Sequence, residues 1–337
     1  MTAKRAPFRT RIIGTGGWAP PRVVTNEEMQ KLVDTNDEWI VQRTGIKTRR
    51  LVDFEGQIST ADMSEHAARA ALDAAGLTPD DLELIVVGTV TPDYRCPSAA
   101  VLLQDKLKAK NAAAFDVLAA CAGSGYALSV ADKFIASGSV KRALVVGAET
   151  LSTITNWTDR NTCVLFGDAA GAFVVEAVDA DVEGPGLIDV DIYSDGSTWN
   201  FIHIPKGGSR APLKPADVDE HQDRLVMNGR EVYKFAVRAL VEAAQKVLSD
   251  NGFTVDDVDL VCAHQANLRI IEAIADRTKI PLDKFVINID RYGNTSSASL
   301  PITFDEARRD GRMKPGALVL MMAIGAGMTW SAGLYRN

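Results

Sequence analysis

Apolar residues fall along the chain in two alternating rhythms. Short continuous runs rich in Val, Ile and Leu predict buried strands at Leu84–Val87, Ala114–Leu118, Ala143–Val146, Leu260–Ala263, Val286–Ile289 and Leu318–Met321. Longer stretches with helical spacing predict helices over Ala61–Ala75, Ala122–Ala136, Arg230–Asp250, Ala266–Thr278 and Ile302–Arg309. Strands alternating with helices define an α/β class.

The pattern repeats. Residues 71–87 read ALDAAGLTPDDLELIVV and residues 247–263 read VLSDNGFTVDDVDLVCA, at a constant offset of 176. Leu72, Gly76, Thr78, Asp80, Asp81 and Leu84 recur as Leu248, Gly252, Thr254, Asp256, Asp257 and Leu260. Each copy reads as a helix, a glycine stop, an acidic turn and a buried strand, so the chain is expected to hold two duplicated halves, 1–180 and 181–337. The Gly-, Pro-, Asp- and Ser-rich segment Glu183–Asp223 is expected to carry the crossover between them, with a short strand or two.

With 337 residues, 46% of them hydrophobic, the chain can bury a large core. A net charge of −7 argues against nucleic acid as partner. Lys4, Arg5, Arg9 and Arg11 are not followed by an apolar signal core, and the apolar stretch Ala317–Gly327 is too short to span a bilayer. The four cysteines, Cys96, Cys121, Cys163 and Cys262, are widely spaced, which indicates neither a metal site nor a disulfide framework and fits a reducing cytoplasm.

Cys121 stands apart. It follows a buried strand and opens a helix of small and apolar residues, Ala122-Gly123-Ser124-Gly125 onward, whose start must therefore point into the interior. Free N–H groups and the helix dipole there would stabilise a thiolate and lower the thiol pKa, as a nucleophile requires; a buried structural cysteine is the other reading. Cys163 and Cys262 read as core. His66, His203 and His221 read as surface residues, whereas His264 directly follows the strand Leu260–Ala263. Asn294, in RYGNTSSAS, lies after another predicted strand, where a turn or helix cap is the alternative role. Imidazole and carboxamide can each donate a hydrogen bond to one developing oxyanion.

These segments resemble the β-ketoacyl-acyl-carrier-protein synthase III family. The likeness runs from about Arg11 to the C-terminus and rests on DEWIVQRTGI (37–46), AACAGSGYALSVAD (119–132), FGDAAGA (166–172), HQANLRII (264–271), DRYGNTSSAS (290–299) and RRDGRMKPGALVL (308–320). It implies a thiolase fold, five layers α-β-α-β-α from two duplicated halves, in a cytoplasmic homodimer. It implies the initiating condensation of dissociated fatty-acid synthesis: acyl-CoA and malonyl acyl carrier protein give β-ketoacyl carrier protein, CO2 and CoA. Cys121 matches the acyl-accepting nucleophile, and His264 and Asn294 the decarboxylating pair. The backbone N–H groups of Cys121 and Ala326 match the oxyanion hole. There the chain reads Gly325-Ala326-Gly327, where the family often has three glycines, and a Cβ is tolerated only if the local φ permits one. Trp39, Arg43 and Arg160 match the CoA adenine and phosphate site, and Asn267 a pantetheine contact. Lys234, Arg269 and Arg277 match the carrier-protein docking patch, which Asp276 makes less basic than usual. Cys96 stands where acetyl-preferring members often carry Phe at the acyl pocket, so a roomier pocket is expected. No metal or cofactor is implied beyond the CoA thioester as substrate.

Other readings compete. IIGTGGWA (12–19) imitates a dinucleotide-binding turn, but Pro20 and Pro21 argue against the helix that would hold pyrophosphate. Cys, His and Asn in this order also occur in cysteine hydrolases, whose Cys-Gly-Ser-Cys type of signature is missing here. A thioester hydrolase on the same fold, and a secondary-metabolite ketosynthase or acyltransferase of the same type, remain as alternatives.

Overall fold

The computed structural model describes residues 7–53 and 58–337; Lys4 and Arg5 lie outside the described residues. Nine main strands form two sheets. The first contains β1 (Phe8–Trp18), β2 (Leu84–Gly88), β3 (Ala113–Val117), β4 (Arg142–Glu149) and β5 (Ala169–Asp179), in the order β1-β5-β4-β2-β3. The second contains β6 (Gly186–Ser194), β7 (Leu260–Ala263), β8 (Leu318–Gly325) and β9 (Thr329–Arg336), in the order β6-β9-β8-β7. Pairing senses match as well: β1/β5/β4 and β6/β9/β8 are antiparallel, while β4/β2 and β8/β7 are parallel.

Seven helices complete the layers: α1 (Asp37–Thr44), α2 (Thr60–Ala75), α3 (Ala99–Leu107), α4 (Gly123–Ala136), α5 (Gly229–Asp250), α6 (Leu268–Thr278) and α7 (Ser299–Arg309). Helices α2 and α3 cover the outer face of the first sheet, and α5, with α6 packed on it, covers that of the second. Between the sheets lie α4 and α7, each touching both. A helix enclosed on two sides must be small and apolar nearly all round, and α4 buries Gly123, Ser124, Gly125, Ala127, Leu128, Ala131 and Ile135. Side chains of both sheets, among them Val86, Phe173, Val319 and Met321, join this central core.

The duplication extends well past the segment that first revealed it. Strand β8 begins and ends 176 positions after β4, and the short 3₁₀ turns Ala120–Ala122 and Ser296–Ala298 are related by the same offset. Both turns start on a residue in the left-handed region, Ala120 at φ 47° and Ser296 at φ 51°. Helices α4 and α7 each follow one of these turns.

Two expectations change. Val286–Ile289 is not a strand. Phe285 makes one parallel bridge to Val261, and Val286 N–H donates to Val261 O at 2.9 Å. Beyond it the Gln265 carboxamide takes over the backbone, donating to Val286 O at 3.0 Å and accepting from Asn288 N and Ile289 N at 3.1 and 3.2 Å. Glu183–Asp223 holds more than a crossover, because it supplies β6, a full strand of the second sheet, as well as the two-residue strand Ile202–His203. The apolar stretch 317–327 is mostly β8, and no helix among the described residues is long and apolar enough to cross a membrane.

Candidate active site

A cavity of about 980 Å³ runs between the halves to the strand ends. Cys121, His264 and Asn294 all line it, together with Ser296 and the turn Gly325-Ala326-Gly327. Cys163 and Cys262 are fully buried elsewhere in the core.

Cys121 sits in the 3₁₀ turn Ala120–Ala122, just ahead of α4 rather than within it. Thr329 Oγ1 donates to Ala119 O at 2.8 Å and tethers this turn to β9. Gly325 backs onto it so closely that a β-carbon would stand 2.4 Å from Cys121 N. The expectation of a lowered thiol pKa is reversed. Burial pushes Cys121 up to about 12, against a smaller opposing effect of a hydrogen bond from Ser296. At neutral pH the resting group is a thiol, and ionising it requires a proton acceptor.

His264 directly follows β7 and is fixed at both ends: its backbone N–H donates to Met322 O at 2.7 Å, and Nδ1 lies 2.6 Å from Ser299 Oγ. Burial lowers its pKa to about 3, so the ring is neutral. The Ser299 hydroxyl also accepts from Gln265 N at 3.3 Å. The hydroxyl has two acceptors in reach, Ser296 O at 2.8 Å and His264 Nδ1 at 2.6 Å; with its proton turned to Nδ1, the ring's own proton sits on Nε2, the nitrogen left for a ligand. Asn294 is oriented by the same logic: its Oδ1 accepts from Ser296 N at 2.9 Å, which leaves the NH₂ group free as donor. Ala326 is not at positive φ, whereas Gly327 is, at φ 132°, so the alanine sits where a Cβ is tolerated.

Nearer the entrance, Arg43 and Arg160 place their guanidinium carbons 4.8 and 4.4 Å from the Trp39 ring centroid. Trp39 and Arg43 line the cavity; Arg160 donates to Asp34 O at 2.9 Å. Asn267 also lines it, and its carboxamide caps α6 by accepting from Arg269 N at 2.9 Å and donates to Arg43 O at 3.1 Å. Of the residues expected to dock a carrier protein, Arg269 reaches the cavity; Lys234 and Arg277 are exposed on α5 and α6 outside it. Cys96 does not line the cavity of this chain; it is exposed, ahead of α3. His203, expected at the surface, lines the outer cavity beside Trp199, with ring centroids 5.4 Å apart.

Sequence reasoning missed Ser296, Ser299 and Glu149. Glu149 ends β4, wholly buried, and accepts hydrogen bonds from Thr91 Oγ1 at 2.5 Å, Thr89 Oγ1 at 3.2 Å, Val90 N at 3.2 Å and Ser296 Oγ at 3.2 Å. Burial raises its pKa to about 7. The repeat carries a hint, since 176 positions on from Glu149 stands Gly325 of the cavity turn.

The paired sheets, with two helices enclosed between them, are those of a thiolase-fold condensing enzyme. Residues 115–196 match the family model described as 3-oxoacyl-[acyl-carrier-protein] synthase III, and residues 248–337 match its C-terminal counterpart. The chain is 46% identical to the β-ketoacyl-[acyl-carrier-protein] synthase III of Caldanaerobacter subterraneus subsp. tengcongensis, over 96% of this chain and 97% of that one. Its identity to the enzyme of the same name from Xanthomonas campestris pv. campestris is 48%, over 97% and 98%. The crystal structure of 3-oxoacyl-[acyl-carrier-protein] synthase III from Aquifex aeolicus superposes with a TM-score of 0.88 at 44% identity, covering 97% of this chain and 100% of that one. The chain belongs to the β-ketoacyl-[acyl-carrier-protein] synthase III family.

Proposed function

We propose that this chain initiates fatty-acid synthesis by taking an acyl group from acyl-CoA onto Cys121 and condensing it with malonyl acyl carrier protein. The observation that carries the assignment of roles is the meeting of one thiol, one neutral imidazole and one oriented carboxamide in a single cavity. The sulfur attacks the thioester carbonyl and expels CoA as its thiol, with the Cys121 and Ala326 N–H groups holding the oxyanion. Malonyl thioester then loses CO2. The enolate oxygen that forms is met by His264 Nε2–H and the Asn294 NH₂, two neutral donors that favour a developing negative charge without protonating it. The enolate carbon attacks the acyl-cysteine carbonyl, forming the new C–C bond and releasing the thiol. This scheme closes with thiol, thioester and CO2 and calls on no metal or redox cofactor.

Trp39, with its flanking guanidiniums, suits an adenine ring and its phosphates. Arg269, at the cavity rim, suits an acidic carrier protein. A homodimer is supported by the free edge of the first sheet: Leu118, which lines the cavity, is 79% exposed, and Asp116 ties β3 to the start of α3, next to Cys96, through Ala99 N and Ala100 N, both at 2.8 Å. A second copy on that edge would cover Leu118 and bring its own Cys96 towards the acyl chain. Incubation with a panel of acyl-CoAs and malonyl carrier protein, followed by mass spectrometry, tests the reading. A β-ketoacyl carrier protein with CO2 supports condensation; free fatty acid with CoA as main products would establish a hydrolase instead. Strict preference for acetyl-CoA in competition would remove the roomier pocket inferred from Cys96.

A further inference from the structure

We propose that Glu149, acting through the Ser296 hydroxyl, receives the Cys121 proton during acyl transfer. The inference rests on Cys121 being the acyl acceptor and adds the missing base. The turn Ser296–Ala298 packs directly on the turn Ala120–Ala122 that holds Cys121, Ser296 and Cys121 line the same cavity, and the Ser296 hydroxyl, whose hydrogen bonding works to lower the thiol pKa, donates to Glu149 Oε1 at 3.2 Å. The other carboxylate oxygen, Oε2, is taken by Thr91 and Thr89, so Oε1 is the one turned to the turn at 296–298. Ser297 also lies near Oε1, at 3.3 Å, but its single proton is committed to Gly88 O at 2.7 Å. Ser296 alone links sulfur to carboxylate.

A wholly buried carboxylate at the end of a strand is costly unless it is used or neutralised. Glu149 forms no salt bridge among the described residues. The elements packed around it present hydroxyls and amides from residues 89–91, the two serines of 296–297, and from 120–122 the Cys121 thiol, the titratable group on which the Glu149 charge acts. Its pKa near 7 suits an acceptor that must be ionised at working pH yet able to hold a proton. His264 is a weaker base than this, at about 3.

The step balances. The Cys121 S–H proton passes to Ser296 Oγ while the Ser296 proton passes to Glu149 Oε1. The thiolate adds to the acyl-CoA carbonyl, the C–S bond to CoA breaks, and the departing CoA thiolate takes a proton back along the same path. No charge is left behind and no further reactant is consumed. Glu149 is thus a positioning and proton-holding residue, and Ser296 the group in contact with the reacting sulfur.

The test is the acylation rate of the full-length protein by acyl-CoA, read as intact mass in rapid-quench samples between about pH 5.5 and 9. Wild type should gain one acyl group at Cys121, with a rate that rises and then levels above about pH 7 as the carboxylate ionises. Glu149→Gln should acylate about tenfold to a hundredfold more slowly at pH 7.5, with a rate that keeps climbing towards pH 9 as the thiol ionises unaided. Ser296→Gly, which suits the positive φ there, should behave alike, and Glu149→Asp should restore the plateau in part. If either Glu149→Gln or Ser296→Gly keeps the wild-type plateau, whatever its absolute rate, the relay is refuted and Glu149 is structural. A wild type that gains no acyl group at Cys121 would overturn the nucleophile itself and the relay with it. Should Glu149→Gln fail to fold, the Ser296→Gly profile decides alone.

Discussion

Replacing His264 by alanine separates the two half-reactions. The ring lies at the end of β7, neutral because burial holds its pKa near 3, and its Nδ1 is engaged by Ser299. It has no part in the proposed acyl transfer, so His264→Ala should still take an acyl group on Cys121 at close to the normal rate. Condensation loses one of two preorganised donors to the enolate. Removing one such donor from a buried site costs about 10²–10³ in rate, or about 3–4 kcal/mol. Truncation also leaves a void beside Ser299, whose hydroxyl keeps Gln265 N and Ser296 O as partners, and should cost about 1–3 kcal/mol of stability at pH 7. That loss should shrink in acid. The native ring stays neutral down to about pH 3, while an unfolded histidine takes up a proton below its ordinary 6.5. Wild type therefore forfeits stability as pH falls through that window, by about 2–3 kcal/mol at pH 4.5, and the alanine variant does not. The assays are intact mass after acyl-CoA, CO2 release from malonyl carrier protein, and urea unfolding at both pH values. Acylation falling as much as condensation, or a stability difference unchanged between pH 7 and 4.5, would refute the assignment of a neutral donor.

Trp39→Ala should raise KM for acyl-CoA by about tenfold, the loss of one aromatic stack and its cation–π partners, with kcat nearly unchanged; steady-state kinetics with acyl-CoA varied checks this. Arg269→Glu should raise KM for malonyl carrier protein, with an effect that fades at high salt, while acylation by acyl-CoA stays normal; kinetics at low and high ionic strength separate the two. Gly88→Ala would set a β-carbon 2.4 Å from the Gly123 carbonyl carbon and push α4 off β2, so a loss of about 3 kcal/mol or more in thermal or urea unfolding, with acyl transfer falling too, is expected.

The sequence marks the proposed catalytic residues because each follows an apolar run: Cys121 after β3 and His264 after β7. Three of the six predicted strands and the helices α2, α4, α5 and α6 lie within two residues of their expected ends, since burial leaves continuous runs with no competing period. Strand β8 runs four residues further than expected, to Gly325, where it delivers the cavity turn. Val286–Ile289 misleads because β-branched residues signal burial rather than pairing, and a side-chain amide from Gln265 supplies the hydrogen bonds a neighbouring strand would have made. The thiol pKa was misjudged because helix position is visible in sequence but desolvation is not. Glu149 and Ser299 were invisible for the same reason: their meaning lies in what faces them across the two halves.

The shared offset of 176 places Gly88 opposite His264 in the repeat, Cys121 opposite Ser297, and Glu149 opposite Gly325. One ancestral blueprint has thus been specialised in complementary ways at each corresponding corner. Where one copy keeps a larger functional group, its twin retreats to glycine or to a hydroxyl, and at the glycines the backbone closes in: the Gly123 carbonyl against Gly88 and the Cys121 amide against Gly325. A repeated frame thereby acquires a front and a back, and in the proposed function an order of events: one copy would receive the acyl chain, and the other would shape the carbon that attacks it.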